Sequence, residues 1–220
     1  MRYSVCNFRD VTETMPIKKQ VYLVDDDAAI CDALSMFLES CGYQVETFSS
    51  AEDFLAAADA AINGVMLLDQ RMTGMTGLEL QAELDKRAIG LQIIFISGHA
   101  DVRMSVQAIK AGAINLLEKP FTNEELLRSL TEAFSLVIEK QLQHERFDQL
   151  RQSFCSLTER EKEVIEHVVA GHSNRQLAER MGVSDRTIEV HRARGMKKMG
   201  ATSLPDLVRK YAQCQQIGIT

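Results

Sequence analysis

The chain has 220 residues, enough for one large or two small domains. Its apolar share of 45% can build a core, while its longest apolar runs are strand-sized, far short of the roughly 20 residues that span a bilayer. The net charge of −6 is uneven: from Ser156 onward 11 lysines and arginines face 8 aspartates and glutamates, so an acidic first part joins a mildly basic second one. That asymmetry implies two modules with different partners, although the basic bias alone is weak evidence for nucleic acid.

The opening MRYSVCNFRDVTETMP has no apolar h-region of a secretory signal and reads as a loose tail over 1–17. Cys6, Cys31, Cys41, Cys155 and Cys214 are scattered without a CxxC pair. That spacing fits free thiols in a reducing cytosol better than a disulfide framework or a zinc site.

Between residues 20 and 122 strand-like and helical patterns alternate. VYLV (Val21–Val24), YQVETF (Tyr43–Phe48), GVMLLD (Gly64–Asp69), QIIFIS (Gln92–Ser97) and AINLLEK (Ala113–Lys119) are short apolar runs. Between them, Ile30, Leu34, Phe37 and Leu38 share one helical face, as do Val102, Val106 and Ile109. The alternation predicts an α/β doubly wound, five-stranded parallel sheet of flavodoxin-like type.

The ends of these runs carry chemistry. The first stops at Asp25, Asp26 and Asp27, the third at Asp69, the fourth at Ser97 and the fifth at Lys119. In open α/β sheets the functional crevice lies outside the carboxyl ends of the strands. Three carboxylates, a hydroxyl and an ammonium are therefore expected at one edge. Crowded carboxylates repel unless a cation sits between them, and an oxygen-only set suits Mg²⁺. The lysine can pair with a carboxylate or with a phosphoryl group placed on it. A turn role for Asp69 and a helix cap for Asp27 are the bland readings, and Asp27 is read as a cap.

VYLVDDD, VMLLDQRMTGMTGLEL, IIFISGHAD and LLEKPF, in this order and spacing, resemble the receiver domain of bacterial two-component systems over about residues 18–130. The resemblance implies that Asp69 accepts a phosphoryl group from a sensor histidine kinase. It implies that Asp26 holds Mg²⁺ directly, Asp25 through water, and Arg71 through its backbone carbonyl. Ser97 would hydrogen-bond the phosphoryl group, Lys119 would pair with it, and the Lys119–Pro120 peptide would be cis. By sequence alone cis is a poor expectation, since only about one X–Pro bond in twenty adopts it. Two positions depart from the family pattern. Thr73 stands where a proline is usual, which reads as a lost rigid element without lost chemistry. Leu116 stands where an aromatic residue often switches rotamer, which excludes an aromatic switch there.

From Asn123 the pattern is helical through Phe154, with no proline or glycine before Ser156. It predicts either one helix of about thirty residues or two with a break near His144. The boundaries read from this are a receiver over 18–133, a helical linker over 134–155, read either as lying on its own domain or as helping to dimerise, and a second module over 156–220.

In that last module, Thr158 with Glu161 and Ser173 with Gln176 have capping-box spacing, and Gly171 and Gly182 close the two helices they start. Only Val183 and Ser184 separate the second from DRTIEVHRARGMKKM, giving a helix-turn-helix. Wound at about 100° per residue, Ile188, His191, Gly195 and Met199 share a packing face. Arg186, Val190, Ala193 and Lys197 share the opposite one, flanked by Glu189 and Arg194. Cations separated by small residues suit a helix that enters the major groove.

The stretch from Leu157 to Tyr211 resembles the LuxR-type DNA-binding domain, with four helices of which the third reads DNA and the last serves as a dimer contact. Its base-contacting positions correspond to Glu189, Val190 and Ala193; Arg186, Arg194 and Lys197 are added from the helical wheel. The whole chain resembles response regulators of the LuxR/FixJ type. The expected function is a cytoplasmic transcription factor, not an enzyme, that needs Mg²⁺ and forms a homodimer on phosphorylation. It would meet a sensor kinase, double-stranded promoter DNA and RNA polymerase, and no membrane. An aspartate-based phosphatase would need a second aspartate two residues past Asp69, where Arg71 stands. A constitutive DNA binder with an inactive receiver would not need the complete acid, hydroxyl and lysine set.

Overall fold

The computed structural model describes residues 19–59, 62–98, 102–216 and 218, with no side-chain description for 102–104. The expected tail over 1–17, Cys6 and the side chain of Val102 lie outside the described residues. The chain divides into two compact units between Lys140 and Gln141.

The first unit alternates β1 (Gln20–Val24), α1 (Ala28–Ser40), β2 (Gln44–Phe48), α2 (Ala51–Ala57), β3 (Val65–Asp69), α3 (Gly77–Lys86), β4 (Gln92–Ser97), α4 (Val102–Lys110) and β5 (Asn115–Glu118). The strands form one parallel sheet in the order β2-β1-β3-β4-β5. Strands β3 and β4 are buried at every residue, as a central parallel strand covered on both faces requires. Edge strand β2 is largely exposed.

Alternate strand residues face opposite cores. Tyr22, Val24, Met66, Leu68, Ile93 and Phe95 pack with Phe54, Leu80 and Leu84 from α2 and α3. Val21, Leu23, Val65, Leu67, Ile94 and Ile96 pack with Cys31 and Leu38 of α1 and with Leu126, Leu130, Phe134 and Val137. The last four belong to α5, a single helix over Asn123–Cys155 with no break near His144. On α4, Ala108 is the buried contact, whereas Val106 and Ile109 are 45% and 47% exposed. Of the apolar face expected there, Val106 and Ile109 point to solvent.

The second unit is helical. The end of α5 is followed by α6 (Glu159–Val169), α7 (Asn174–Met181), α8 (Asp185–Lys198) and α9 (Leu204–Gln216). Both expected capping boxes form, Thr158 with Glu161 and Ser173 with Gln176. Gly182 ends α7 in the left-handed region, and Ser184 caps α8. The core holds Phe154, Val164, Ile165, Leu177, Ile188 and Leu207. Gly195 explains how α8 comes so near α6: a Cβ there would meet Ile165 Cγ1 at 2.8 Å.

Candidate functional site

The sheet register brings the expected residues to one edge. Val24 of β1 stands beside Leu68 of β3, so the residues that follow, Asp25 and Asp69, are neighbours. Ser97 ends β4 opposite Glu118, and Lys119 follows at once. Asp25, Asp69 and Ser97 are all buried. Between the first two lies one cation: Lys119 Nζ donates to Asp25 Oδ2 at 2.9 Å and to Asp69 Oδ1 at 2.8 Å. The Lys119–Pro120 peptide is cis, as the resemblance implied.

Burial pushes the Asp69 carboxyl above the usual range, against the hydrogen bonds from Lys119 and from the Arg71 N–H, which pull it down. Burial also works to lower the Lys119 ammonium, but the two carboxylates outweigh it and hold it above its ordinary value. Lys119 is therefore a fixed positive charge, and Asp69 is a carboxylate held in place by donors on both oxygens. The Arg71 N–H donates to Asp69 Oδ2 at 2.7 Å, so Asp69 also plays the turn role that its position allows.

The three aspartates in a row have separate partners. Asp25 Oδ1 accepts from the Asp27 N–H, and Asp25 faces the lysine. Asp27 caps α1 by accepting from the N–H groups of Ala29 and Ile30, as expected. Exposed Asp26 turns to the loop after β3, where the Thr73 N–H and Thr73 Oγ1 donate to the same oxygen, Oδ2, at 2.9 and 3.0 Å. Thr73 thus loses no chemistry, as expected, and it brings contacts that the sequence did not signal. Proline has no N–H and no hydroxyl, so the departure from the family pattern adds two hydrogen bonds. No local pattern signalled this, because the partners are 47 residues apart.

The same loop is held at two further points. The Met75 N–H donates to Glu52 of α2, and Thr76 starts α3 with a capping box to Glu79. Gly77 then passes so close beneath the site that a Cβ would lie 2.6 Å from the Asp69 carbonyl oxygen. Leu116, at the position of the absent aromatic switch, is partly buried against the core formed by α2 and α3. On α3, Gln81 escaped the sequence reading altogether: its buried amide donates to the Ala111 carbonyl at the end of α4.

The oxygen donors of Asp25, Asp26 and Asp69 are hard and anionic, the kind that Mg²⁺ takes. Among the described residues no three acidic, histidine or cysteine side chains are gathered as a metal set. Asp26 faces Thr73 while Asp25 and Asp69 face Lys119. The donors fit the ion in kind.

In the second unit, α8 separates its residues as the helical wheel expected. Ile188 and Gly195 are buried, with Met199 just beyond the helix end. His191 is half-buried. Arg186, Glu189, Ala193, Arg194 and Lys197 are exposed, and Val190 is half-buried between them. Arg186 Nη1 lies 3.3 Å from Glu189 Oε2, one turn along the same face. Arg192, on the flank, donates to Asn174 and ties α8 to α7.

Comparison with known proteins agrees with both units. Residues 21–131 match the response regulator receiver domain, and residues 155–211 match the bacterial regulatory proteins of the luxR family. The response regulator protein TodT of Pseudomonas putida is 41% identical over 189 residues, covering 86% of this chain and 83% of TodT. The transcriptional regulatory protein FixJ of Rhizobium meliloti is 40% identical, covering 86% of this chain and 93% of FixJ. Among solved structures, the response regulator StyR superposes with a TM-score of 0.80 at 40% identity, covering 89% of this chain and 99% of StyR. The chain thus belongs to the two-component response regulators that join a receiver domain to a LuxR-type DNA-binding domain.

Proposed function

We propose that Asp69 accepts a phosphoryl group from the histidine of a sensor kinase and that this modification controls promoter binding by α8. The observation that carries the reading is the single ammonium of Lys119 shared by Asp25 and Asp69 at the carboxyl edge of the sheet. In the transfer, a carboxylate oxygen of Asp69 forms the new O–P bond while the N–P bond of the phosphohistidine breaks. Lys119 is already in contact with Asp69 and can move its charge onto the incoming phosphoryl oxygens. Ser97, at the end of β4, supplies a hydroxyl donor to the same group. Asp25, Asp26, Asp69 and the Arg71 carbonyl would hold Mg²⁺, which when bound offsets the negative charge gathered on the phosphoryl oxygens. The chemistry serves switching, since the family is one of transcription factors rather than classical enzymes.

The output follows from the exposed faces. Val106, Ile109 and Lys110 of α4 offer an exposed surface for a second copy once the phosphoryl group is in place. Two copies present two recognition helices to a pseudo-palindromic promoter, where RNA polymerase is the natural further partner. Promoter binding puts the site of action in the cytoplasm. Among the described residues no helix is long and apolar enough to cross a membrane.

The test is intact-mass analysis after incubation with acetyl phosphate and Mg²⁺. One phosphoryl adduct is expected on the wild type and none on Asp69→Asn. An undiminished adduct on the variant would move the acceptor elsewhere. For the dimer, sedimentation with and without a phosphoryl mimic should show a larger dimer fraction in the modified state.

A further inference from the structure

We infer that Thr73 is a latch on the cation site: it holds the Asp26 carboxylate on the β3–α3 loop and weakens Mg²⁺ binding by the unphosphorylated protein. The inference rests on the reading of Asp26 as a metal ligand. Both of its bonds end on one oxygen, with the Thr73 N–H at 2.9 Å and Thr73 Oγ1 at 3.0 Å from Asp26 Oδ2. Two donors occupy the two lone-pair directions of that oxygen and draw on the negative charge that a cation would use. The carboxylate is thereby turned to the loop, and the three acidic side chains are not gathered as a metal set. Lys119 occupies the remaining two carboxylates, Asp25 and Asp69. A cation entering this edge therefore competes with two separate holders, an ammonium on one side and a threonine on the other.

Thr73 differs from Lys119 in what it costs to remove. Both Thr73 and Asp26 are exposed, so their loss leaves no buried orphan. The loop keeps its other anchors, the Met75 N–H on Glu52 and the Thr76 capping box. Removing the hydroxyl alone deletes one donor and leaves the backbone N–H in place. Substituting proline deletes both. The effect on the cation should therefore be graded.

The experiment is calorimetric titration of MgCl₂ into the unphosphorylated full-length protein, for the wild type, Thr73→Ser, Thr73→Val, Thr73→Pro and Asp26→Asn. Thr73→Ser keeps the hydroxyl and should bind as the wild type does. Thr73→Val should bind about three-fold more tightly, the size of one net hydrogen bond, and Thr73→Pro more tightly again. Thermal unfolding without Mg²⁺ checks that each variant is folded, and the Val and Ser pair decides the matter if the Pro variant is not. Unchanged or weaker binding by Thr73→Val overturns the latch, as does tighter binding by Thr73→Ser equal to that of Thr73→Val. The underlying reading of the site is scored separately: wild type that binds no Mg²⁺, or Asp26→Asn that binds as well as wild type, overturns the ligand assignment and the latch with it.

Discussion

Lys119 and Asp69 are joined by a 2.8 Å ion pair across 50 residues of sequence, and the same ammonium reaches Asp25. The strand ends meet there because β1 and β3 are neighbours in the sheet while β5 arrives by way of β4. Removing the lysine strands two buried carboxylates side by side. Lys119→Met should therefore lose about 2 kcal/mol of stability at neutral pH, less than a fully buried pair because Nζ belongs to a side chain that is 23% exposed. The double variant Lys119→Met/Asp69→Asn removes one of the two like charges and should recover part of that loss. Urea unfolding measures both. Strictly additive losses would mean that the lysine does not separate these carboxylates.

Two glycines test close approach in the two units separately. Gly77→Ala would place a Cβ 2.6 Å from the Asp69 carbonyl oxygen and 2.8 Å from Phe95. Backbone cannot swing aside as a side-chain tip can, so we expect a loss of about 2 kcal/mol and a drop in phosphoryl uptake. Gly195→Ala is crowded by the Ile165 side chain, at 2.8 and 2.9 Å, while Glu161 Cβ stands at an ordinary 3.9 Å. It should cost about 1 kcal/mol after the better helix propensity of alanine, and leave phosphoryl uptake intact. Trimming the obstacle with Ile165→Val should make Gly195→Ala cheaper. Equal uptake by the Gly77→Ala protein and wild type would show that the loop yields without moving Asp69.

Much of this architecture was legible because its signals are local. Buried parallel strands are continuous apolar runs, so β1, β3 and β4 stand out, and their terminal aspartates and serine stand out with them. Capping boxes span four residues, and both in the helical unit formed as read. The unreadable parts depend on partners far apart in sequence. Thr73 on Asp26 and Gln81 on the Ala111 carbonyl are examples, and neither leaves a periodic trace. The periodicity of Val106 and Ile109 was legible, but periodicity gives a face and not what covers it, and here the face is exposed. Likewise no local break marks where one unit ends, because α5 runs without interruption from Asn123 to Cys155.

Glu161 gives a pH test confined to the helical unit. A hydrogen bond from Lys198 at 2.7 Å, and a second from the Thr158 N–H, hold its carboxyl down to about 2 from an ordinary 4.5. A depressed carboxylate contributes stability that is fully present above its unfolded value and is lost as pH falls toward its folded one. The gap between wild type and Glu161→Gln should thus be constant from pH 8 to about pH 5 and close progressively below that. Its size should be about 1 to 2 kcal/mol, since Lys198 is 36% exposed and water screens part of the pair. A gap that widened toward acid pH would contradict the ion pair.

The recognition helix should separate its residues by role. Arg186 lies in the first turn of α8, Val190 and Ala193 follow on the same face, and Lys197 stands in the last turn. A helix that enters the major groove by its N-terminal end brings the early residues to base edges and leaves the late ones near the backbone. Arg186→Ala should then alter which sequence is preferred, by about 1 to 3 kcal/mol for a lost base contact. Lys197→Ala should weaken all sequences alike and reduce the slope of log K against log salt by about one unit. Glu189 adds a further constraint, because its carboxylate now holds the Arg186 guanidinium at 3.3 Å. Both side chains are exposed, so the pair is weak and gives way readily to a phosphate or a guanine edge. Glu189→Ala would remove a negative charge from the groove face and free the arginine. It should raise binding to scrambled duplexes more than to the preferred site, lowering discrimination while raising affinity. Titrations of wild type and the three variants against preferred and scrambled duplexes at several salt concentrations separate these effects. If Lys197→Ala changed sequence preference while Arg186→Ala did not, α8 would have to lie in the groove the other way round, with its C-terminal end at the bases.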